Sequence, residues 1–547
     1  MANKLNLTID GISVAVEEGT TILEAARELN IHIPTLCYHE DLCVAGNCRV
    51  CVVEQEKVRN LPASCATPAA EGMVIHTNSM KVRMARKHIV ELLLSEHNAD
   101  CTKCYKNGNC ELQGLASQML TGDHLFLDLV PDKKYTIDMF NTAIIKDDSR
   151  CIRCQRCVRT CEELQSVSAL GVAYKGNKMK ISTFFEHSLF EVVCTNCGQC
   201  VNRCPTGALI ERNYIDQVWD AIYDPTKHVV VQTAPAVRVA LGESLGMATG
   251  KIVTGKMVSA LRRLGFNSVL DTDFTADLTI IEEGHELLTR LKRALVDKDP
   301  TVTLPMATSC SPGWIKFIEH TFPEYLPNLS TCKSPQQMFG ALAKTYYAQK
   351  RKLDPKNIVS VSIMPCTAKK FESTRPELET GVDYVLTTRE LGRLVKMKKI
   401  DFASLPDEDF DPALGISTGA GVIFGNSGGV SEAVLRYASE KVTGKKLLNP
   451  DIHAVRGEDG LRIVEVPVGD ITLRLGIVHG LKNARTLAEK ARRGKCDLDL
   501  IEVMACPGGC IGGAGQPVSR DPDIRKLRTR RPYDVDKNME LHKSQEN

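Results

Sequence analysis

The sequence predicts a multi-domain chain: small cysteine-rich α+β segments in front, then one large α/β domain. Three observations predict it. The chain has 547 residues, room for several domains of about 100–200 residues each. Of its 22 cysteines, sixteen fall in the first 204 residues. From about residue 225 onward, apolar strand-like runs alternate with amphipathic helical stretches, the pattern of helices packed around sheets. Hydrophobic residues make up 43% and charged residues 25%, which excludes a disordered or fibrous chain. The formal net charge is +2, so electrostatics give no case for nucleic acid or an anionic membrane as partner. No uncharged apolar run reaches the roughly 18 residues of a membrane span. Met1–Asp10 alternates like a strand and has no secretory-signal pattern, so a cytoplasmic protein is expected. In a reducing compartment, clustered cysteines are metal ligands or redox groups rather than disulfides.

Residues 1–80 read as short strands with turns, Ile12–Val16 and Lys57–Leu61 among them, and one helix over Thr21–Leu29. They carry Cys37-x10-Cys48-x2-Cys51-x13-Cys65. Four thiolates with a tight inner pair suit a [2Fe–2S] cluster, with a structural zinc as the competing reading. Cys43 falls outside the pattern. Residues 81–125 begin with a helix over Lys81–Ser95 and continue into a loop with His97-x3-Cys101-x2-Cys104-x5-Cys110. One imidazole and three thiolates suit either zinc or a [4Fe–4S] cluster. Residues 140–220 carry a repeat, Cys151-x2-Cys154-x2-Cys157-x3-Cys161 followed by Cys194-x2-Cys197-x2-Cys200-x3-Cys204-Pro205. In such runs three cysteines hold one cubane and the fourth ligates the other. Cys151, Cys154, Cys157 and Cys204 are therefore expected on one [4Fe–4S] cluster, and Cys194, Cys197, Cys200 and Cys161 on a second. One [2Fe–2S] and three accessory [4Fe–4S] clusters make a row that moves single electrons.

In residues 225–547 strands are expected at Val229–Thr233, Ser268–Leu270, Ile358–Met364 and Leu498–Met504, and helices at Lys256–Leu264 and Glu283–Val296. Gly250–Met257 begins like a phosphate-binding loop but ends in Met257 where a Ser or Thr is needed. Three segments place cysteine beside Gly or Pro: Thr308-Ser309-Cys310-Ser311-Pro312-Gly313-Trp314, Met364-Pro365-Cys366-Thr-Ala-Lys369-Lys-Phe-Glu372, and Glu502-Val-Met504-Ala505-Cys506-Pro-Gly-Gly-Cys510 running on to Pro517. Loops after strands are where α/β domains build sites.

These segments resemble the three signature motifs of [FeFe]-hydrogenases, T-S-C-C-P-x-W, M-P-C-x-x-K-x-x-E and E-x-M-A-C-x-x-G-C-x-x-G-G-G-x-P. The front constellations match that family's accessory domains in the same order: a β-grasp [2Fe–2S] ferredoxin-like domain, a one-His/three-Cys [4Fe–4S] domain and a two-cluster bacterial ferredoxin-like domain, ahead of an α/β H-cluster domain. The resemblance implies H2 interconverted with protons and electrons at an H-cluster, a [4Fe–4S] cubane joined to a diiron subsite with CO, cyanide and a bridging dithiolate amine. It implies Cys366, Cys506 and Cys510 as cubane ligands, with Cys510 bridging to the diiron unit. Lys369 would donate to a cyanide, and Ala234, Pro235, Met364 and Met504 would line the diiron pocket. It implies a proton path through Cys310, Glu283, Ser330, Glu286 and Arg290, although Glu286 and Arg290, four apart on a helix, also suit a plain ion pair.

Two positions depart from the pattern. Ser311 stands where the family has its fourth cubane cysteine, and oxygen is a harder ligand than thiolate. Three readings stay open: Ser311 ligates as alkoxide, Cys310 takes its place, or the site is altered or empty. Ala514 replaces the middle glycine of the third motif. The first 220 residues also resemble the large iron–sulfur subunit of respiratory complex I and of NAD-linked multi-subunit hydrogenases. The implied partners are ferredoxin and complex I-like flavin/NAD(P)-binding and small [2Fe–2S] subunits. The alternative function is an electron-transfer subunit of a ferredoxin–NAD(P) transhydrogenase with a degenerate H-site.

Overall fold

A computed structural model describes residues 4–121, 126, 135–378, 381–519 and 523–547. Residues 1–3 of the first segment and 122–125 of the second lie outside the described residues. The chain divides into two compact units.

The first comprises Met1–Glu163, Ser168–Val192 and Arg203–Ile210. Its opening part is a four-stranded sheet in the order Ile12–Glu17, Lys4–Ile9, Val74–His76, Glu54–Gln55. The first hairpin is antiparallel, and Lys4–Ile9 runs parallel to Val74–His76. Helix Ile22–Glu28 starts at a capping box between Thr21 and Glu24, which satisfies two orphan N–H groups reciprocally. Ile9, Ile22, Leu23, Val53 and Ile75 fill the core. The expected strand at Lys57–Leu61 is a turn, because Lys57 takes φ +64° and reverses the chain just after Gln55. Helix Met80–Ser95 is capped by the Ser79 hydroxyl, which accepts Val82 N–H at 3.3 Å. Helix Glu111–Gln118 packs on it through Val90, Leu112 and Leu115. Two short antiparallel hairpins follow, Ile137–Asp138 with Ile144–Asp147 and Gly171–Ala173 with Lys180–Ser182.

The second unit comprises Leu164–Val167, Val193–Asn202 and Glu211–Asn547. It is built on two four-stranded sheets. One is wholly parallel, in the order Ser268–Asp271, His228–Thr233, Ile358–Met364, Tyr384–Thr387. Its strands read as continuous Val/Ile runs because helices cover them. In the other, Met306–Ala307, Leu500–Met504 and Ile471–His479 are parallel and Leu461–Val468 closes the edge as an antiparallel hairpin. Helix Thr272–Leu291 begins well before the expected Glu283. Asp271 caps it, and burial around most of its circumference hides the one-sided pattern that marks a surface helix. The second half of Gly250–Met257 is the first turn of helix Thr254–Leu264, and Lys256 Nζ is bound to the Leu405 carbonyl. Among the described residues, no helix is long and apolar enough to cross a membrane.

The strand ends position the site. Ala234 and Pro235 follow His228–Thr233, Thr272 follows Ser268–Asp271, and Cys366 follows Ile358–Met364. Cys310 and Ser311 follow Met306–Ala307, and Cys506 follows Leu500–Met504. The carboxyl ends of five parallel strands, from both sheets, line one cavity, which is where open α/β sheets bind ligands.

Candidate active site

In the first unit the four expected [2Fe–2S] thiols converge. Cys51 and Cys65 Sγ lie 3.3 Å apart, and Cys37 shares hydrogen bonds with Cys48 and Cys65. The sharing draws Cys37 and Cys51 toward thiolate and pushes their partners Cys48 and Cys65 toward thiol. Only a bound cation takes all four protons away. Arg159 donates to the carbonyls of Cys37 (2.6 Å) and Cys43, pinning the loop. Cys43 stays outside the set, its thiol donating to Glu163 Oε1 at 2.6 Å.

Cys104 and Cys110 are neighbours, and Cys110 Sγ contacts the Pro205 carbonyl at 3.6 Å. His97 is half-buried beside Arg150 and Asp147, and loss of hydration pushes its pKa down to about 4. Its Nδ1 is buried without a hydrogen-bond partner. A neutral imidazole with an unused nitrogen is the form that binds metal. Cys151, Cys154, Cys157 and Cys204 line one pocket, and burial raises the pKa values of the first three. The repeat extends to backbone conformation. Arg153 and Gln155 flank Cys154 at positive φ, and Asn196 and Gly198 flank Cys197 in the same way. Cys161, in the first unit, receives Ala169 N–H on its sulfur at 3.3 Å.

The second unit's cavity brings the three remote motifs together. Cys310, Ser311, Cys366, Cys506 and Cys510 all line it, as do Ala234, Pro235, Met364, Met504 and Lys369. Its walls are mostly apolar, so desolvation raises all four thiols, Cys510 to about 12. Buried soft donors in an apolar, glycine-edged cavity fit an iron–sulfur group. The loop after Cys510 packs directly on the second motif, and a Cβ at Gly513 would strike the Pro365 carbonyl. The Ala514 departure is accommodated. Its methyl lies 2.8 Å from where a Cβ would stand on Gly198, which is itself left-handed at φ +67°.

Lys369 Nζ donates to the Cys310 carbonyl at 3.0 Å and pairs with Glu372 at 2.9 Å. Gln336, also in the wall, was not foreseen. Its Nε2 donates to Glu372 Oε2 (3.0 Å) and the Lys369 carbonyl (3.2 Å), and its Oε1 is buried and unpaired. No motif spacing marks it. The one sequence cue is Pro335, which opens helix Pro335–Leu342 beside it.

From Cys310 a polar line leaves the cavity. Glu283 is its charged neighbour and is fully buried. Desolvation lifts Glu283 to a pKa of about 7. Ser330 stands beside Glu283 and donates to Glu286 Oε2 at 3.1 Å. Glu286 pairs with Arg290 at 2.6 Å and also receives Thr331 N–H at 3.0 Å. Glu283, Ser330, Glu286 and Arg290 thus follow one another in contact, with Cys310 near Glu283 at the inner end.

Known proteins resemble this chain along nearly its whole length. The family profile "Iron only hydrogenase large subunit, C-terminal domain" matches residues 227–514. In front of it match a 2Fe-2S iron-sulfur cluster binding domain (2–80), an NADH-ubiquinone oxidoreductase-G iron-sulfur binding region (86–122) and an NADH-quinone oxidoreductase subunit 3 ferredoxin-like domain (142–210). NADP-reducing hydrogenase subunit HndD of Solidesulfovibrio fructosivorans is 52% identical over 99% of this chain and 94% of its own. Iron hydrogenase 1 of Clostridium pasteurianum is 38% identical over the same shares. A solved [FeFe]-hydrogenase structure from Chlamydomonas reinhardtii superposes with a TM-score of 0.54 and 41% identity, covering 61% of this chain and 92% of that one.

Proposed function

The chain belongs to the iron-only hydrogenase large-subunit family, and we infer that the cavity at the five strand ends is where it interconverts H2 with protons and electrons. The observation that carries this is the meeting of three motif segments, far apart in sequence, around one thiol-lined cavity with a polar exit. A transhydrogenase subunit with a degenerate site is not favoured, because it has no need of that exit. The domains carry iron–sulfur clusters of both the 2Fe–2S and 4Fe–4S kinds together with an H-cluster.

When bound, the H-cluster supplies the iron chemistry that takes up and splits H2. Cys366, Cys506 and Cys510 hold its cubane. Ala234, Pro235, Met364 and Met504 wall off water around the diiron part, and Lys369, fixed by Glu372, offers an ammonium to a cyanide. The Cys310 thiol stays protonated because burial opposes its thiolate, so it hands on a proton rather than storing charge. Glu283 titrates near neutrality, where a general acid–base works in both directions. Ser330 bridges it to Glu286, and Arg290 holds Glu286 at the outer end.

Cys37, Cys48, Cys51 and Cys65 hold the [2Fe–2S] cluster, while His97 with Cys101, Cys104 and Cys110, and Cys151, Cys154, Cys157 and Cys204, hold [4Fe–4S] clusters. Cys194, Cys197 and Cys200 supply three ligands of another. The chain works inside a multi-subunit complex. Its electron partners are ferredoxin and, through a flavin-bearing subunit and a small [2Fe–2S] subunit, NAD(P), all in the cytoplasm. Matured protein should oxidise H2 with viologen dyes and show infrared CO and cyanide bands. Protein lacking both overturns the reading, and a native complex that forms no NAD(P)H under H2 overturns the partner assignment.

A further inference from the structure

The cavity geometry separates the three readings of position 311. Ser311 directly precedes helix Pro312–Thr321, where a serine ordinarily turns its hydroxyl back onto the first N–H groups of the helix. It makes no such cap. Its Oγ instead accepts Ala505 N–H at 3.2 Å, one residue before Cys506, and lines the cavity with Cys366, Cys506 and Cys510. The backbone at Ser311 is extended (φ −100°, ψ 101°), and extended backbone sends successive side chains to opposite sides. Cys310 has Glu283, Lys369, Cys510 and Glu502 for charged neighbours, while Cys506 has Cys366, Cys197 and Cys510. The two adjacent side chains therefore leave the backbone in opposite directions, and it is the Ser311 hydroxyl that is tied to the strand end carrying Cys506.

We propose that Ser311, as an alkoxide, is the fourth ligand of the H-cluster's cubane in this chain, and that Cys310 keeps its thiol free for proton transfer. The proposal rests on the hydrogenase reading above. Ligation is an exchange. The Ser311 O–H bond breaks, its proton leaves to solvent, an Fe–O bond forms, and the iron releases the external ligand it arrived with. No electron moves. An alkoxide is costly in an apolar wall unless a cation neutralises it; iron does so, and the Ala505 N–H adds a charge-assisted hydrogen bond. Oxygen is harder than thiolate and favours the more oxidised iron, so this cubane is held at a lower potential than a four-thiolate one.

The test is infrared spectroelectrochemistry on the matured full-length chain, which reads the cubane couple through the diatomic bands and not through turnover. Ser311→Cys is expected to keep the bands and move the couple to higher potential. Ser311→Ala is expected to displace the couple or lose the bands, with the accessory-cluster EPR signals intact as proof of folding. Cys310→Ala is expected to leave the couple in place while H2 oxidation falls about 100-fold or more. A couple unmoved in both Ser311 variants, or moved by Cys310→Ala, overturns the proposal. Absence of bands from the unsubstituted chain overturns the hydrogenase reading instead. Mössbauer spectra of protein made without maturases then decide position 311: Ser311→Ala should lose an iron from the cubane, and retention of all its iron overturns the ligand assignment.

Discussion

The thiols at Cys37, Cys48, Cys51 and Cys65 and those at Cys366, Cys506 and Cys510 are two different constructions for one kind of guest. The first set comes from one short stretch of chain, and its sulfurs already exchange hydrogen bonds. The second is assembled from strands of two separate sheets, each contributing a residue or two at its carboxyl end. A local loop suffices to hold a cluster that only passes electrons. A reaction that also moves protons needs an apolar cavity with a polar way out, and here a whole domain supplies both.

The comparison breaks first at Cys510. Cys510→Ala should abolish viologen-linked H2 oxidation and the infrared diatomic bands while every accessory-cluster EPR signal remains. Persistence of the bands would separate Cys510 from the cofactor.

Glu283 comes next. Glu283→Gln should cost about 100-fold or more in turnover, with the bands retained, since it removes a proton carrier and not a ligand. Its folded pKa, about 7, lies above the ordinary 4.5. Burial therefore costs stability increasingly as pH rises from about 4.5 to 7, and costs nothing below that window. Relative to the parent, Glu283→Gln should gain on the order of 3 kcal/mol above pH 7 and nothing near pH 4, read from denaturant unfolding at the two pH values.

Smaller effects sharpen the contrast. Gly513→Ala should destabilise the second unit by about 1–3 kcal/mol, because the Pro365 carbonyl it meets is backbone and cannot swing away. Thermal unfolding followed with loss of the diatomic bands would show it. Smallest is Thr21→Ala, which removes a helix cap in the first unit at about 1 kcal/mol. Viologen activity should not change, and a loss there would mean that the sheet of the first unit bears on the catalytic cavity.

The two constructions were unequally legible in sequence. Spacing alone marked Cys37, Cys48, Cys51 and Cys65, which share hydrogen bonds, and Cys151, Cys154, Cys157 and Cys204, which line one pocket. The cavity was legible only through three long motifs and the family they resemble. Gln336 escaped because burial and an unpaired oxygen leave no mark in spacing. The start of helix Thr272–Leu291 escaped because a helix buried on most sides shows no one-sided period. Lys57–Leu61 was misread because an apolar-polar alternation also fits a turn, and the left-handed Lys57 decides between them. Ser311 is the reverse case. Its departure was plain in sequence, while its meaning needed the extended backbone that turns it away from Cys310.

The apolar walls that raise the thiols of Cys366, Cys506 and Cys510 also set a schedule. Each is a neutral S–H until iron arrives, so every sulfur–iron bond must expel a proton. Loading therefore acidifies the medium and is opposed by acid. The cavity's sulfurs wait as neutral thiols, and the last stage of the protein's biosynthesis is a titration.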